Sequence, residues 1–294
     1  MDTENPYFRV FTEGIFQAET VTAEIVPSTR KLTENLQAQL DERWSDYQGK
    51  KWPNDENPSR FRYEGYEVVD GVVKLKVAPS ISYKDSITWG PDLTQQYGQD
   101  AAPLPLMVSS LIETSDGKIV IGKRNGRADY KAGGLSGMGG AINIKEDTRP
   151  DGTLDILHAL GREIEEESGV KLQEIKPTLH GIIYNPVSGT VNLGFVVTTS
   201  LSSDEIKKRP HDDENELLFI DIDPDTVQNL VLTRVNAFTT ETLELLMSVG
   251  EQKFGKRWAS ETREIFRLRQ ISYAEAIKRG PSVVKKLEER DIKK

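Results

Sequence analysis

Between Arg162 and Val170 the chain places four glutamates, Glu163, Glu165, Glu166 and Glu167, inside an apolar helical pattern. At about 100° per residue, Glu163, Glu166 and Glu167 fall at i, i+3 and i+4 and share one helix face. Ile156, Leu157, Leu160 and Ile164 form the neighbouring apolar stripe, and Glu165 points to solvent. Carboxylates at the edge of a buried face repel by roughly 1 kcal/mol per pair at 4 Å in water, and by more at lower dielectric. A hard divalent cation relieves that repulsion, and oxygen ligands suit Mg2+ or Mn2+. The segment reads as a metal-holding helix, stopped by Gly169-Val170 and preceded by the Gly139-Gly140 turn. A solvated acidic face is the plainer alternative, but it leaves both glycine signals unexplained.

The rest of the chain is patterned as mixed α/β. Val10, Phe11, Ile15, Val21 and Ile25 alternate like strands, and Leu32, Leu36, Leu40 and Trp44 recur every fourth residue as in an amphipathic helix ending near Gly49. Phe61–Tyr66 and Val68–Val77 predict strands around an Asp70-Gly71 turn, and Ser82 onwards predicts a loop holding Trp89 and Tyr97. Leu104–Glu113 and Lys118–Arg124 flank a second hairpin at Ser115-Asp116-Gly117. A third, Thr178–Tyr184 with Val191–Thr199, is followed by a strand over Leu217–Ile222 and a helix from about Asp225. From about Val235 the spacing of Leu243, Leu246, Met247, Ile265 and Leu268 is helical, and Lys285–Lys294 reads as a solvated end.

The 294 residues allow one domain with large extensions, or two domains. The expected division is an N-terminal α+β extension (1–100), a central domain (101–235) and a C-terminal helical extension (236–294). A net charge of −9 provides no basic surplus for nucleic acid or anionic membranes. With no cysteine, disulfides and thiolate chemistry are excluded. No run approaches the roughly 18 apolar residues of a membrane span. The acidic N-terminus resembles neither a signal nor a transit peptide, so a cytoplasmic location is expected. The oligomeric state is open, a homodimer included. His158, His180 and His211 lack metal-ligand spacing; His158, beside the acidic helix, reads as a structural histidine or a general base.

The run Arg162-Glu163-Ile164-Glu165-Glu166-Glu167-Ser168-Gly169-Val170 resembles the second half of the Nudix box, and Gly140 followed by five residues and Glu146 resembles the first. Fifteen residues separate Glu146 from Arg162, about eight more than in the usual box, and the surplus around Thr148–Thr153 is turn-forming. Whether Glu146 pairs with Arg162 across that insertion is left open. The resemblance implies a Nudix α/β/α sandwich with a mixed sheet. It also implies metal-dependent hydrolysis of a nucleoside diphosphate linked to another moiety. Carried over, Glu166 and Glu167 are the main ligands of Mg2+ or Mn2+, Glu163 a further ligand or part of the base machinery, Arg162 an orienting partner, and the Gly139 carbonyl a last ligand. A further acid is expected in Asp212–Glu216, with Glu216 and Glu214 the candidates.

Phe61-Arg62-Tyr63, followed by Ile81-Ser82-Tyr83-Lys84-Asp85, resembles the pre-domain of the UDP-glucose/UDP-galactose diphosphatase branch, which also carries an interrupted box. That likeness implies a UDP-sugar cleaved to UMP and sugar 1-phosphate. ADP-ribose, a dinucleotide or a coenzyme are the alternative substrates, and a catalytically weak nucleotide-binding or scaffold module is the alternative of another class. Arg124, Arg127, Tyr83 and Lys84 are the leading substrate contacts, ahead of Arg62 and Lys123. Among aromatics, Tyr63, Tyr66, Trp89 and Tyr97 can stack on a base or pack in a core.

Overall fold

In the computed structural model, residues 9–12, 14–51, 57–126, 131–185, 188–234 and 236–265 are described. Arg127, Leu268 and the stretch 285–294 lie outside them. The strands run, in chain order, β1 (Arg9–Val10), β2 (Phe16–Gln17), β3 (Val21–Ile25), β4 (Ser59–Val69), β5 (Val72–Ser82) and β6 (Leu106–Glu113). They continue with β7 (Lys118–Arg124), β8 (Leu135–Ser136), β9 (Ile175–Asn185), β10 (Thr190–Thr199) and β11 (Asn215–Asp221). The main sheet has the order β1-β9-β10-β6-β7-β11, with β2 paired to β9 and β8 to β7. Only β10 and β6 run parallel within it, so the sheet is mixed.

Period-two alternation sorts these strands between two buried clusters. On β10, Val191, Leu193, Phe195 and Val197 face one cluster and Val196 the other; on β7, Val120 faces the first while Ile119 and Ile121 face the second. Helices cover both faces, giving an α/β/α sandwich.

A smaller sheet of order β3-β5-β4 precedes the sandwich. Its β4–β5 hairpin turns at Asp70 (φ 51°) and Gly71 (φ 78°), the left-handed pair that a two-residue turn between right-twisted strands requires. Helix α1 (Glu34–Lys51) buries Leu36 and Leu40 against it, while Leu32 lies before the helix and stays exposed. The loop expected after Ser82 is instead two short helices, α2 (Tyr83–Thr88) and α3 (Pro91–Tyr97). Ser82 and Asp85 form a capping box at α2, and Pro91 occupies the first turn of α3, where a missing N–H costs nothing.

The sandwich's helices are α4 (Ile144–Asp147), α5 (Ile156–Ser168), α6 (Ser203–Ile206), α7 (Pro224–Thr233) and α8 (Thr240–Phe254). The amphipathic α5 buries Ile156, Leu160 and Ile164 in the first cluster. Its start is capped by Asp155, whose carboxylate accepts the His158 amide at 3.0 Å, and it ends on Gly169 at φ 70°. The second cluster joins α7 and α8 to the sheet through Val227, Val231, Leu243, Leu246 and Val249. The sandwich thus continues past residue 235, because α8 supplies much of one layer. Residues 256–265 add a further helical stretch. Among the described residues no helix is long and apolar enough to cross a membrane.

Candidate active site

The insertion between the two halves of the box folds on itself. Thr148 bridges to Leu154, the Arg149 amide donates to the Thr153 carbonyl at 2.8 Å, and Arg149 pairs with Asp155 at 2.9 Å. The surplus residues thus form a small closed loop on the surface, and α4 and α5 meet at its base.

Asp147 stands at that base, 1% exposed. Its carboxylate accepts from the Asn143 amide at 2.7 Å, from Arg162 Nη2 at 3.0 Å and Nε at 3.4 Å, and lies 3.1 Å from His158 Nδ1. Glu146 approaches Arg162 only to 3.9 Å and is half exposed. Asp147, and not Glu146, is therefore the main partner of Arg162 from this side. Burial works against the Arg162 charge, but Asp147 and Glu163 together hold its pKa above the ordinary value.

On its other side Arg162 Nη1 lies 2.8 Å from Glu163 Oε1 and 3.5 Å from Glu166 Oε2. Glu163 rests on Gly140, where an added Cβ would come within 2.3 Å of its carboxylate. Desolvation there pushes the Glu163 carboxyl up to about 7, outweighing the attraction of Arg162. Glu166, placed by helical phase on the same face, is 53% exposed at the mouth.

Glu167 faces inward and is 3% exposed. One carboxylate oxygen accepts the Gly139 amide at 2.6 Å and the other the Asn215 side-chain amide at 2.7 Å. Burial raises its pKa well above the usual range, against the pull of the Gly139 amide. Gly139 has no room for a side chain: its Cβ would meet the Val108 carbonyl at 2.2 Å. The glycine run thus lets this backbone press onto β6, with Val108 donating to the Gly140 carbonyl at 3.0 Å.

A cavity of about 430 Å³ opens over these groups. Gly139, Gly140, Arg162, Glu163 and Glu166 line it, together with Arg124 and Glu214. The Asp212 amide donates to the Glu166 carbonyl at 2.8 Å, which draws the acidic loop to the end of α5. Of the two acids expected there, Glu214 reaches the cavity. Its carboxyl is raised first by desolvation and then by Asp212, with Arg124 opposing. Glu214 lies just before β11, whereas Glu216 is inside it, where alternation turns it away from the side of Asn215 and Glu167, to Lys123 at 3.4 Å.

Tyr83 and Lys84 do not line the cavity; Lys84 pairs with Asp41, and Tyr83 stands behind Arg60, 4.8 Å from its guanidinium carbon. Arg62 is buried against Glu64. Tyr63 stacks on Phe11 at 5.7 Å, Tyr66 donates to the Phe11 carbonyl, Trp89 donates to Thr94 at 2.9 Å, and Tyr97 receives Asn35 and Gln39. These aromatics are packing residues. His180 is buried on the opposite face of the sheet, 2.7 Å from Ser248 Oγ, and His211 contacts the Arg209 carbonyl at 3.0 Å.

The donors around the cavity are carboxylate oxygens, and those of Glu163 and Glu214 have their pKa raised first by desolvation and then by neighbouring acids, which suits a hard cation. As placed, they do not converge: among the described residues no group of three or more His, Asp or Glu side chains is arranged to hold a metal ion.

Solved structures give the comparison for this geometry. A Nudix hydrolase from Nitrosomonas europaea is 18% identical with a TM-score of 0.36, over 51% of this chain and 90% of that one. The chain is similar to Nudix hydrolases. The Nudix domain of Shewanella oneidensis NrtR, complexed with ADP ribose, is 14% identical with a TM-score of 0.34, over 50% of this chain and 87% of that one. A bifunctional NMN adenylyltransferase/ADP ribose pyrophosphatase from Francisella tularensis, complexed with AMP and a manganese ion, is 14% identical with a TM-score of 0.36, over 52% of this chain and 42% of that one. No family model matches the chain, and no curated protein matches it. At such low TM-scores the site stands on this chain's own residues.

Proposed function

We propose that the protein is a metal-dependent pyrophosphohydrolase of the Nudix type, acting on a nucleoside diphosphate derivative. The observation that carries this reading is the Arg162 cluster, with Glu163 and Glu166 on the cavity wall, Glu167 fixed behind them and Glu214 at the lip. Glu163, Glu166 and Glu167, with the Gly139 carbonyl, would hold Mg2+ or Mn2+, which when bound screens phosphate charge and lowers the pKa of an attacking water. Arg162 keeps Glu163 and Glu166 on one side of the cavity, and Asp147 keeps Arg162 there. Gly139 and Asn215 fix the rotamer of Glu167. Arg124, beside Glu167 and Glu214, offers a guanidinium fork to a phosphate oxygen.

A UDP-sugar is the favoured substrate, cleaved to UMP and a sugar 1-phosphate. Support comes from the N-terminal sheet: Pro58, Ser59 and Arg60, just before the Phe61-Arg62-Tyr63 motif, form part of the cavity wall. A second reading, a nucleotide-binding module with little turnover, is favoured by the position of Arg162 Nη1 between Glu163 and Glu166, where it competes with a cation. A panel of UDP-glucose, UDP-galactose, ADP-ribose, NADH and nucleoside triphosphates, incubated with Mg2+ or Mn2+ and resolved by chromatography, separates these readings. UMP from UDP-sugars alone supports the full proposal. Turnover of ADP-ribose or NADH instead removes the UDP-sugar reading, and binding without turnover leaves the module.

A further inference from the structure

The cavity reaches round to the sheet face that lies away from the box helix. On β6, Leu106 and Val108 face the cluster that packs on α5, so Ser109 turns the other way; on β10, Val191 and Leu193 face it, so Asn192 turns the other way too. These strands are parallel neighbours with Asn192 opposite Met107 and Gly194 opposite Ser109, which sets Ser109 diagonally beside Asn192. Helix α8 covers the same face, because a Cβ on Gly194 would come within 3.1 Å of Leu245. Glu241 is one turn before Leu245 on the same side of that helix. Ser109, Asn192 and Glu241 all line the cavity.

All three are buried, Glu241 to 9% exposure. Among the described residues nothing hydrogen-bonds to the Glu241 carboxylate or the Ser109 hydroxyl. Asn192 donates to Thr190 Oγ1 at 3.1 Å, itself 2.8 Å from Ser188 Oγ, which orients the amide and leaves its oxygen without a donor. The first turn of α8 favours a negative charge, but a carboxylate withdrawn from water still needs donors. A ligand carrying O–H or N–H groups supplies them. Glu241 only accepts and it repels phosphate, so the group it receives is neutral, with the phosphates on the side of the box. A nucleobase is held best by stacking on aromatic rings, and none of the described residues lining the cavity is aromatic. A ring bearing several hydroxyls, each donor and acceptor at once, matches a carboxylate, an amide and a hydroxyl.

We infer that Glu241, Asn192 and Ser109 form a sugar subsite, in which the Glu241 carboxylate accepts from ring hydroxyls of the substrate while Asn192 and Ser109 complete the contacts. The inference rests on the pyrophosphohydrolase reading and extends it to the part of the substrate that does not react. The hydroxyls belong to the nucleoside ribose or to a second sugar beyond the phosphates, and the choice of analogues below tells the two apart. Helix α8 thereby takes a direct part in substrate choice.

The test uses the full chain with Glu241→Ala, and with Glu241→Gln in its place if the alanine variant fails to fold. KM and kcat are measured for whichever panel nucleotide is hydrolysed, and for its analogues lacking one hydroxyl on the nucleoside ribose or one on the second sugar. Glu241→Ala should raise KM about tenfold with kcat within about threefold, as expected for a contact made equally in the ground and transition states. The unsubstituted protein should lose about tenfold in kcat/KM with at least one analogue, and Glu241→Ala less than about threefold with the same one, because the partner of that hydroxyl is gone. The analogue that behaves so identifies the sugar. An unchanged KM, or equal discrimination against every analogue in the two proteins, overturns the subsite while the pyrophosphohydrolase reading stands. If no nucleotide is hydrolysed, that reading falls, and calorimetry with UMP and with glucose 1-phosphate decides the subsite. Binding of either ligand about tenfold weaker in Glu241→Ala supports it, and equal or undetectable binding in both proteins overturns it.

Discussion

Replacing Asp147 by alanine probes the least expected element of the site. The substitution removes a carboxylate that is 1% exposed and leaves the Asn143 amide and most of the Arg162 guanidinium without their partner. Breaking one side of a buried ion pair costs about 3–5 kcal/mol. The low end applies, because Arg162 keeps Glu163 at 2.8 Å and the Ala141 carbonyl at 3.4 Å, and its side chain is 19% exposed. The unmade bond to the Asn143 amide adds about 1 kcal/mol, giving roughly 4 kcal/mol in all. Glu146→Ala removes a half-exposed group 3.9 Å from Arg162 and should cost less than about 0.5 kcal/mol. Urea unfolding of the two variants measures the difference directly. Turnover should follow the same order, with kcat falling on the order of 10²-fold in Asp147→Ala as Arg162 loses its hold on Glu163. If Glu146→Ala destabilises more than Asp147→Ala, Arg162 is anchored as in an uninterrupted box and the account of the insertion fails.

Three other perturbations have defined outcomes. Burial depresses the His180 pKa to about 4, so between pH 6.5 and 4 the unfolded chain binds a proton that the folded one refuses. Stability should therefore fall by about 3 kcal/mol as pH drops through that window, and urea unfolding of His180→Gln should show a shallower fall. Glu214→Gln should lower turnover markedly, whereas Glu216→Gln, which loses only a surface contact to Lys123, should leave kcat/KM within about twofold. Glu167→Gln should reduce turnover on the order of 10²-fold or more with the thermal midpoint nearly kept, because Asn215 can turn its amide to meet the new one; retained activity removes Glu167 from the ligand set.

The long, strongly periodic pieces of this fold were legible in its residues. The amphipathic stripe Ile156-Leu160-Ile164 marks α5, and Asp70-Gly71 marks its hairpin, because both signals are local. The helices α2 and α3 escaped, since each is too short for periodicity and is announced only by a cap or a proline. At the site, the shared face of the three glutamates follows from helical phase and Arg162 from the resemblance to the box, but their partners do not. Asp147 meets Arg162 across a loop whose closure depends on the Thr148–Leu154 bridge. Asn215 lies hidden in an acidic run, where only strand alternation shows that it points to Glu167 while Glu216 points away. Arg60 reaches the cavity through a pairing with Asn143 that no local pattern encodes.

The most direct test of the central claim compares the protein with its Glu166→Gln and Glu167→Gln variants on UDP-glucose, with Mg2+ or Mn2+ and again after chelation. The account predicts UMP and glucose 1-phosphate in equal amounts from the metal-loaded protein, neither product after chelation, and turnover lower on the order of 10²-fold or more in either variant. Equal turnover by the variants, or turnover that survives chelation, would contradict it.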